Sequence, residues 1–416
     1  MTDFFDGNKL AASSRTDDAG RNARPRHGLI SSSSVGSANR GRLLQALFDL
    51  GPTSRADLAR YTGVNRATIS GIIQPLVDQK VLVEGEAIPA NESGGKPARP
   101  LWFSKDAQPI CAVLLMHDSV RSCLVSLNGE IYAESESALP IETGDVRIVM
   151  DIIVDCIRTT LSAAARPALG IGVAAVGMID TDKRSIVAVN LAPLLDGFPL
   201  GQELESQFAL PTSIDHHPRA LLVGDRWFGL GRGRRNFAAV YTGEVLGGAL
   251  FLDGHLFRGP GGAGGELGHT FVQLGGRRCK CGRIGCWETI ATLGWLREEA
   301  SQHKLPEAAT MNSAKLVELA EAGVDGAAVL LDRYAQNIAV GIANLQQTMA
   351  PNYIILHGDV VGGGKALMGA ISEHLRELVP WRPGGEMELA LGEKEDVAAL
   401  RGAAGLVLSE LLQFPL

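Results

Sequence analysis

The chain has 416 residues, of which 45% are hydrophobic, and its formal net charge is −7. This length and apolar content predict two to three domains with packed cores. No apolar run reaches the roughly 18–20 residues of a membrane-spanning helix, and the N-terminus lacks the apolar stretch of a signal peptide. The sequence therefore predicts a cytoplasmic protein that does not span a membrane.

The charge is divided unevenly along the chain. Residues 1–103 carry 13 basic and 10 acidic side chains, whereas residues 104–416 carry 26 and 36. A basic front on an acidic body is typical of a nucleic-acid-binding module joined to a small-molecule domain. Residues 1–37 are rich in Ser, Asp, Arg, Asn and Gly, which predicts a disordered tail.

Residues 38–105 show the pattern of a small helical module. Three helices are predicted: Asn39–Leu50, Arg55–Thr62 and Arg66–Gln79. Ser54 and Asn65 are suitable N-caps for the second and third helices, and Gly63 makes the turn between them. Pro75 predicts a kink or an earlier end of the third helix. The order helix, glycine turn, helix is typical of a helix-turn-helix.

A polar hairpin follows this module and completes a winged helix-turn-helix. Strands are predicted from Val81 onward and over 100–103, with a Gly/Pro-rich tip between them. We expect the start of the third helix to enter the major groove and the wing to contact the DNA backbone or minor groove. The predicted DNA-contacting residues are Arg55, Asn65, Arg66, Thr68, Ser70, Lys96 and Arg99. A helical hairpin used only for dimerisation is the alternative.

Strand hairpins followed by helices repeat twice in residues 106–416. The main predicted elements are strands at 109–116, 121–126, 169–176, 237–241, 246–252 and 353–356, and helices at 146–165, 327–349 and 397–412. This repetition predicts an α/β fold with two lobes around a cleft, like that of actin and ribonuclease H. The cleft is the expected site for a ligand.

One histidine and three cysteines lie within 18 residues in the middle of the body. They are His269, Cys279, Cys281 and Cys286, with glycines at 275, 276, 282 and 285 between them. This set can close a tetrahedral Zn²⁺ site, and four protein ligands leave no open position for catalysis. A structural zinc is therefore predicted. The other cysteines lie singly in apolar segments and are expected to be buried thiols.

The stretch Gly261-Gly-Ala-Gly-Gly-Glu266-Leu-Gly-His269, followed by Cys279-Lys-Cys281-Gly-Arg-Ile-Gly-Cys286-Trp-Glu288, resembles the signature of the ROK family of repressors and sugar kinases. With the predicted winged helix in front, the chain resembles the repressor branch. The resemblance implies that Glu266, His269 and Glu288 bind sugar hydroxyls. It also implies that Gly177 and Asn190 line the sugar pocket.

The sequence departs from the kinases of this family where their chemistry resides. The Asn-Asp pair that carries the catalytic base is replaced by His216-His217, so His217 stands at a degenerate base position and no catalytic residue is assigned. Asp215, one residue earlier, is expected to point away. Residues 115–121 contain no glycine for a phosphate, and Glu244 in the second loop would repel one. We therefore predict that kinase activity is lost.

These observations predict a sugar-responsive, DNA-binding transcriptional regulator that acts as a homodimer or homotetramer. The partners are double-stranded operator DNA and a sugar or sugar derivative. His216 and His217 are expected to line the ligand pocket, where they could favour an acidic or phosphorylated sugar when protonated. A neutral sugar and an empty cleft are the other possibilities, and a sugar kinase that keeps a DNA-binding arm is the alternative function.

Overall fold

The computed structural model describes residues 32–87, 99–189, 191–379, 386–394 and 396–411. Its side chains are described except at 32–38 and 143. Most of the predicted tail, Lys96 at the wing tip and Asn190 lie outside these residues. No described helix combines the length and the apolar character needed to cross a membrane.

The front module contains three helices and a small antiparallel sheet. Its elements are α1 (Ser32–Leu50), β1 (Thr53–Ser54), α2 (Arg55–Thr62), α3 (Arg66–Asp78), β2 (Leu82–Glu84) and β3 (Pro100–Phe103). The strands are ordered β1-β3-β2. Ser54 and Asn65 cap α2 and α3 by accepting hydrogen bonds from the amides of Asp57 and Thr68. Gly63 makes the intervening turn at φ 69°.

Two predictions for this module were wrong. The first helix begins at Ser32 and not at Asn39, so residues 32–37 belong to the helix and not to the tail. Once a helix has formed, each added residue brings one more hydrogen bond, so weak helix formers can extend it. Pro75 does not end the third helix either, which continues to Asp78. Pro75 lies in its final turn and is exposed, so little of the helix follows it.

The first lobe of the body is a five-stranded sheet with helices. Its elements are β4 (Ile110–Leu115), β5 (Ser119–Val125), β6 (Ile131–Ala138), α4 (Val146–Ser162), β7 (Ile171–Ala175), β8 (Met178–Asp180), β9 (Ser185–Ala188), α5 (Leu200–Phe208), β10 (Thr212–His216) and α6 (His217–Phe228). The sheet order is β10-β7-β4-β5-β6, and β8 and β9 form a separate hairpin. The central β4 and β7 are wholly buried because helices cover both faces.

The second lobe repeats this plan. Its elements are β11 (Phe237–Thr242), β12 (Leu246–Leu252), β13 (His255–Leu256), α7 (Leu293–Gln302), α8 (Ser313–Glu321), α9 (Ala327–Met349), β14 (Tyr353–Gly358), α10 (Gly364–Leu378) and β15 (Glu388–Leu391). The last helix, α11 (Val397–Leu411), returns to the first lobe and packs against β4, β7 and β10. The sheet order is β13-β12-β11-β14-β15. The predicted two-lobed α/β fold is therefore confirmed.

Helices α6 and α11 pack against each other between the two sheets. Their close approach depends on glycines: a Cβ at Gly224 would clash with the Ala398 carbonyl, and one at Gly402 with the Ala220 carbonyl. The apolar core around this pair continues without a break into the front module. Two further cores lie on the outer faces of the two sheets.

Candidate functional site

A cleft of about 420 Å³ opens between the lobes at the carboxyl ends of the central strands. This is the place where open α/β sheets bind their ligands. Its wall includes six of the seven predicted ligand residues: Gly177, His216, His217, Glu266, His269 and Glu288. The seventh, Asn190, lies outside the described residues, although its neighbours Val189 and Leu191 line the same cleft.

Two of the glycines at the cleft are required by their surroundings. Gly177 follows β7 with φ 91°, and a Cβ there would clash with the Ala188 carbonyl. A Cβ at Gly268 would clash with the Leu246 carbonyl. The backbone segments that line the cleft can therefore pack against each other only because these positions lack a side chain.

His216 and His217 stand where β10 ends and α6 begins. Desolvation, followed by the charge of Arg219 and then by His217, lowers the pKa of His216 to about 3. Its imidazole is thus uncharged near neutral pH and supplies no positive charge for an acidic sugar. His217 is buried, its ring meets that of Tyr241 edge-on at 4.8 Å, and its Nε2 lies 3.7 Å from Asp396 Oδ1.

Asp215 does not line the cleft but lies beneath it, fully buried. Its Oδ1 accepts a hydrogen bond from Arg219 Nε at 2.5 Å, and its Oδ2 accepts one from Arg258 Nε at 2.8 Å. Burial raises the pKa of this carboxyl, but the two guanidinium groups outweigh that effect and hold the pKa below its usual range. The carboxylate is therefore charged and joins α6 to the second lobe.

The two loops that would hold phosphates carry other side chains here. Met116 and His117 line the cleft where the first loop turns from β4 to β5. In the second loop, Glu244 also lines the cleft, and its Oε1 lies 2.7 Å from Arg297 Nη1. A carboxylate at this position disfavours an anionic phosphate.

The predicted metal ligands come together beside the cleft. One potential ligand atom from each of His269, Cys279, Cys281 and Cys286 lies within 4.8 Å of the others. Cys279 Sγ is 3.7 Å from His269 Nδ1, and Cys281 Sγ is 3.7 Å from Cys286 Sγ. Tetrahedral zinc with bonds of about 2.3 Å separates its sulfur ligands by about 3.8 Å, so both the donor set and the spacing fit zinc.

The predicted metal ligands and the predicted sugar-binding carboxylates lie next to one another. Glu288 Oε2 lies 3.7 Å from His269 Nδ1 and 3.4 Å from Cys279 Sγ. Glu266 comes three residues before His269 and lines the cleft directly. Each carboxylate can accept two hydrogen bonds, as neighbouring sugar hydroxyls require. The arrangement suits recognition of a polyhydroxylated ligand.

The predicted DNA residues of the front module are mostly solvent-exposed. Asn65, Arg66, Thr68, Ser70 and Arg99 are all exposed. Arg55 is different, because its guanidinium pairs with Glu84 and donates to Gln74 Oε1 at 3.2 Å. It therefore ties α2 to β2 and α3 within the module. Lys96 lies outside the described residues.

Sequence reasoning did not assign Arg219, Arg258 and Asp396 to the site. Asp215 and Arg219 are four residues apart, a spacing that brings side chains together on a helix, but β10 ends between them. The pairing with Arg258 spans 43 residues and has no local signal. The structure also adds the apolar wall of the cleft, of which Met178, Val245 and Leu246 are part.

The chain is similar to repressors and to sugar kinases of one family. The ROK family model matches residues 114–410. The xylose repressor of Bacillus subtilis (strain 168) is 25% identical over 384 residues, which cover 91% of this chain and 97% of the repressor. The glucokinase of Halalkalibacterium halodurans is 28% identical over 305 residues, which cover 90% of that enzyme but only 70% of this chain.

A solved structure shows the same fold over nearly the whole chain. The crystal structure of a ROK family transcriptional regulator, a homologue of the Escherichia coli MLC protein, superposes with a TM-score of 0.72 at 22% identity. It covers 91% of this chain and 99% of that regulator. The likeness therefore includes the front module as well as the two lobes.

Proposed function

Because the chain belongs to the ROK family, we propose that it is a sugar-responsive transcriptional regulator that represses genes of carbohydrate uptake or metabolism. One observation carries this proposal: the xylose repressor matches 91% of the chain, whereas the glucokinase matches 70%. A kinase-like body with an additional helical module in front is the organisation expected of a regulator.

The front module, residues 38–105, is proposed to bind operator DNA as a winged helix-turn-helix. Support comes from the capped α2 and α3, the Gly63 turn and the adjoining sheet. The exposed start of α3 presents Asn65, Arg66, Thr68 and Ser70 to the major groove, and Lys96 and Arg99 serve the wing. A homodimer or homotetramer fits the twofold symmetry of operators, and the protein is proposed to act in the cytoplasm.

The cleft is proposed to bind a neutral sugar. Glu266 and Glu288 accept hydrogen bonds from the sugar hydroxyls, and Gly177 lets the backbone approach. His269 and the three cysteines would hold a zinc ion, which would crosslink this loop. The uncharged His216 and the acidic Glu244 both support a neutral ligand over a phosphorylated one.

Regulation requires that the sugar bind one arrangement of the lobes more tightly than the other. Glu266 and Glu288 belong to the second lobe, whereas His216 and His217 belong to the first, so a bound sugar contacts both. We propose that the sugar favours the closed cleft and that this arrangement binds DNA less tightly.

A test combines DNA selection with sugar titration. The full chain is used to select fragments from a random DNA pool, and the affinity for the selected DNA is measured with and without D-xylose, D-glucose and glucose 6-phosphate. We expect specific binding that one of the neutral sugars weakens. Failure to select any DNA at low salt would contradict the proposal, and a response to glucose 6-phosphate alone would contradict a neutral ligand.

The alternative function is that of a sugar kinase that keeps a DNA-binding arm. The match to a glucokinase favours this alternative. Phosphoryl transfer needs a base near the sugar hydroxyl and donors around the phosphates. His217 and Glu244 are poor replacements for these groups. We expect no sugar-dependent release of ADP from ATP, and measurable turnover with any neutral sugar would support the kinase.

A further inference from the structure

Helix α6 contacts the ligand cleft at one end and the front module at the other. Its 12 residues span about 18 Å. His217 and Pro218 in its first turn line the cleft, and Trp227 and Phe228 at its end contact Phe48 of α1. A single rigid element thus touches both of the sites that the proposed function needs to connect.

At the cleft end, three charged side chains form an interlobe latch, which we define as Asp215, Arg219 and Arg258. Asp215 lies in β10 and Arg219 in the first turn of α6, whereas Arg258 belongs to the second lobe. Arg219 Nη1 also donates to the carbonyls of Gly262 at 3.0 Å and Gly264 at 3.1 Å. The latch therefore fixes the backbone that leads directly into Glu266.

Two of the three latch residues are buried, whereas the side chain of Arg258 is 26% exposed. Asp215 is 0% and Arg219 is 1% exposed. Removing one partner of such a buried pair leaves an uncompensated charge, which strongly favours another arrangement of the chain. Closing or opening the cleft must therefore displace the first turn of α6 together with the segment that carries Glu266.

At the other end, side chains of α6 and of the loop after it bind the end of α1. We call this contact the joint and define it as Arg226 and Arg232 with Asp49 and Phe48. Arg226 Nη1 donates to Asp49 Oδ1 at 2.5 Å, and its Nη2 donates to Oδ2 at 3.2 Å. Arg232 Nε donates to the Phe48 carbonyl at 3.0 Å. The Phe48 ring also stacks on Phe103 of β3 at 4.2 Å, so the joint reaches the sheet of the front module.

Between its ends, α6 has no room to bend. Its residues from His217 to Trp227 are buried, and the glycine contacts with α11 leave no space for side chains. Packed interiors of this kind transmit displacement instead of absorbing it. A shift at the latch therefore reaches the joint as a movement of the whole helix.

We infer that the Asp215–Arg219–Arg258 latch positions Glu266 for the ligand and, through α6 and the Arg226–Asp49 joint, sets the orientation of the DNA-binding module. This inference rests on the proposed function and adds the residues that connect its two sites. The latch residues are positioning residues, because none of them lines the cleft.

A double-mutant cycle tests the connection. Operator Kd is measured by fluorescence anisotropy on the selected DNA for the wild type, Arg258→Gln, Asp49→Asn and the double variant. Because loss of the latch favours the open cleft, Arg258→Gln is expected to tighten operator binding about fivefold or more. In the Asp49→Asn background the same substitution is expected to change the Kd less than about twofold.

The outcomes separate this inference from the proposed function. Additive effects of the two substitutions, or no effect of Arg258→Gln, overturn the inference while operator binding by the wild type remains. Absence of operator binding by the wild type overturns the proposed function itself. Arg258→Lys keeps the charge without the guanidinium geometry and is the second latch variant if Arg258→Gln does not fold.

A matched control removes an ion pair that touches neither end of α6. Asp155 Oδ1 lies 2.5 Å from Arg158 Nη1 within α4, and both side chains are exposed. Asp155→Asn is expected to leave the effect of Arg258→Gln on operator Kd unchanged. If this control abolishes the effect as Asp49→Asn does, the connection does not run through the joint and the inference fails.

Discussion

The carboxylate of Asp215 is fully buried beneath the cleft. Two guanidinium groups contact it from different parts of the chain, and one of them is itself buried. An unpaired charge in such a place is costly, so the three side chains support each other. At the residue scale, the site depends on this cluster as much as on the groups that face the ligand.

Asp215→Asn should destabilise the protein at neutral pH by about 3–5 kcal/mol, because it leaves Arg219 without its charge partner. Since folding lowers the pKa of Asp215, its contribution is complete above the unfolded pKa of about 4. That contribution is lost as the pH falls through the lower folded pKa. Urea denaturation at pH 7 and below pH 4 measures both effects.

The free energies of unfolding of the wild type and of Asp215→Asn should therefore differ less below pH 4 than at pH 7. Asp155→Asn is the control, since its exposed ion pair is worth at most about 1 kcal/mol. If Asp215→Asn is as stable as this control at pH 7, the buried cluster does not stabilise the fold.

The loop that carries the four predicted zinc ligands also carries the predicted sugar-binding carboxylates, Glu266 and Glu288. Its turns depend on glycines with positive φ, namely 87° at Gly282 and 81° at Gly285. A Cβ at Gly285 would also clash with the Gln273 carbonyl, so no other residue fits there. This folding aims the cysteines at His269 and holds Glu288 against them. At the element scale, sugar binding and metal binding are thus expected to be linked.

Cys286→Ser should reduce bound zinc from about one ion per chain to well below that, because one of four ligands is weakened. Sugar affinity should fall in parallel, since the metal supports His269 and Glu288. Mass spectrometry under native conditions and calorimetry measure the two quantities. Full sugar affinity in the zinc-depleted variant would contradict the linkage.

Cys156→Ser is the matched control for this experiment. Its thiol lies in α4 near the Ser122 hydroxyl and the Ser135 carbonyl, so a hydroxyl group can take its place. It does not belong to the metal cluster. We expect its zinc content and its sugar affinity to equal those of the wild type.

The front module and the body differ in net charge, as their different proposed ligands, DNA and a sugar, lead us to expect. The basic excess of residues 1–103 accompanies exposed arginines at the start of α3 and beside the wing, whereas the body is acidic. An acidic body repels DNA, so only the front module is expected to approach it. At the scale of the whole molecule, this asymmetry orients the protein on its operator.

Arg66→Ala should lower both operator affinity and its dependence on salt. Each lost phosphate contact reduces the slope of log K against log salt by about 1 per subunit. Arg158→Ala, an exposed arginine of the body, is the control and should leave the slope unchanged. Equal slopes for Arg66→Ala and the wild type would place Arg66 outside the interface.

Features that depend on neighbouring residues could be predicted from the sequence alone. The spacing of His269, Cys279, Cys281 and Cys286 indicated a metal cluster, and the caps at Ser54 and Asn65 located two helices. The apolar periodicity of the body predicted some of its elements, among them β4, β7, β11, α4 and α9, but it did not predict α5, α6, α7, α8 or α10. The two caps and the proximity of the four predicted ligands are confirmed, because turns, caps and residue spacing are determined by short-range geometry. Bound zinc stays a prediction.

Only the tertiary structure decided which distant residues meet. Asp215 and Arg258 are 43 residues apart, and Asp49 and Arg226 are 177 apart. The packing of α6 against α11 and the front module brings these groups together, and no local pattern records it. The pKa of His216 likewise depends on burial and on Arg219. Long-range contacts and desolvation arise only when the chain is folded, which is why these features required the structure.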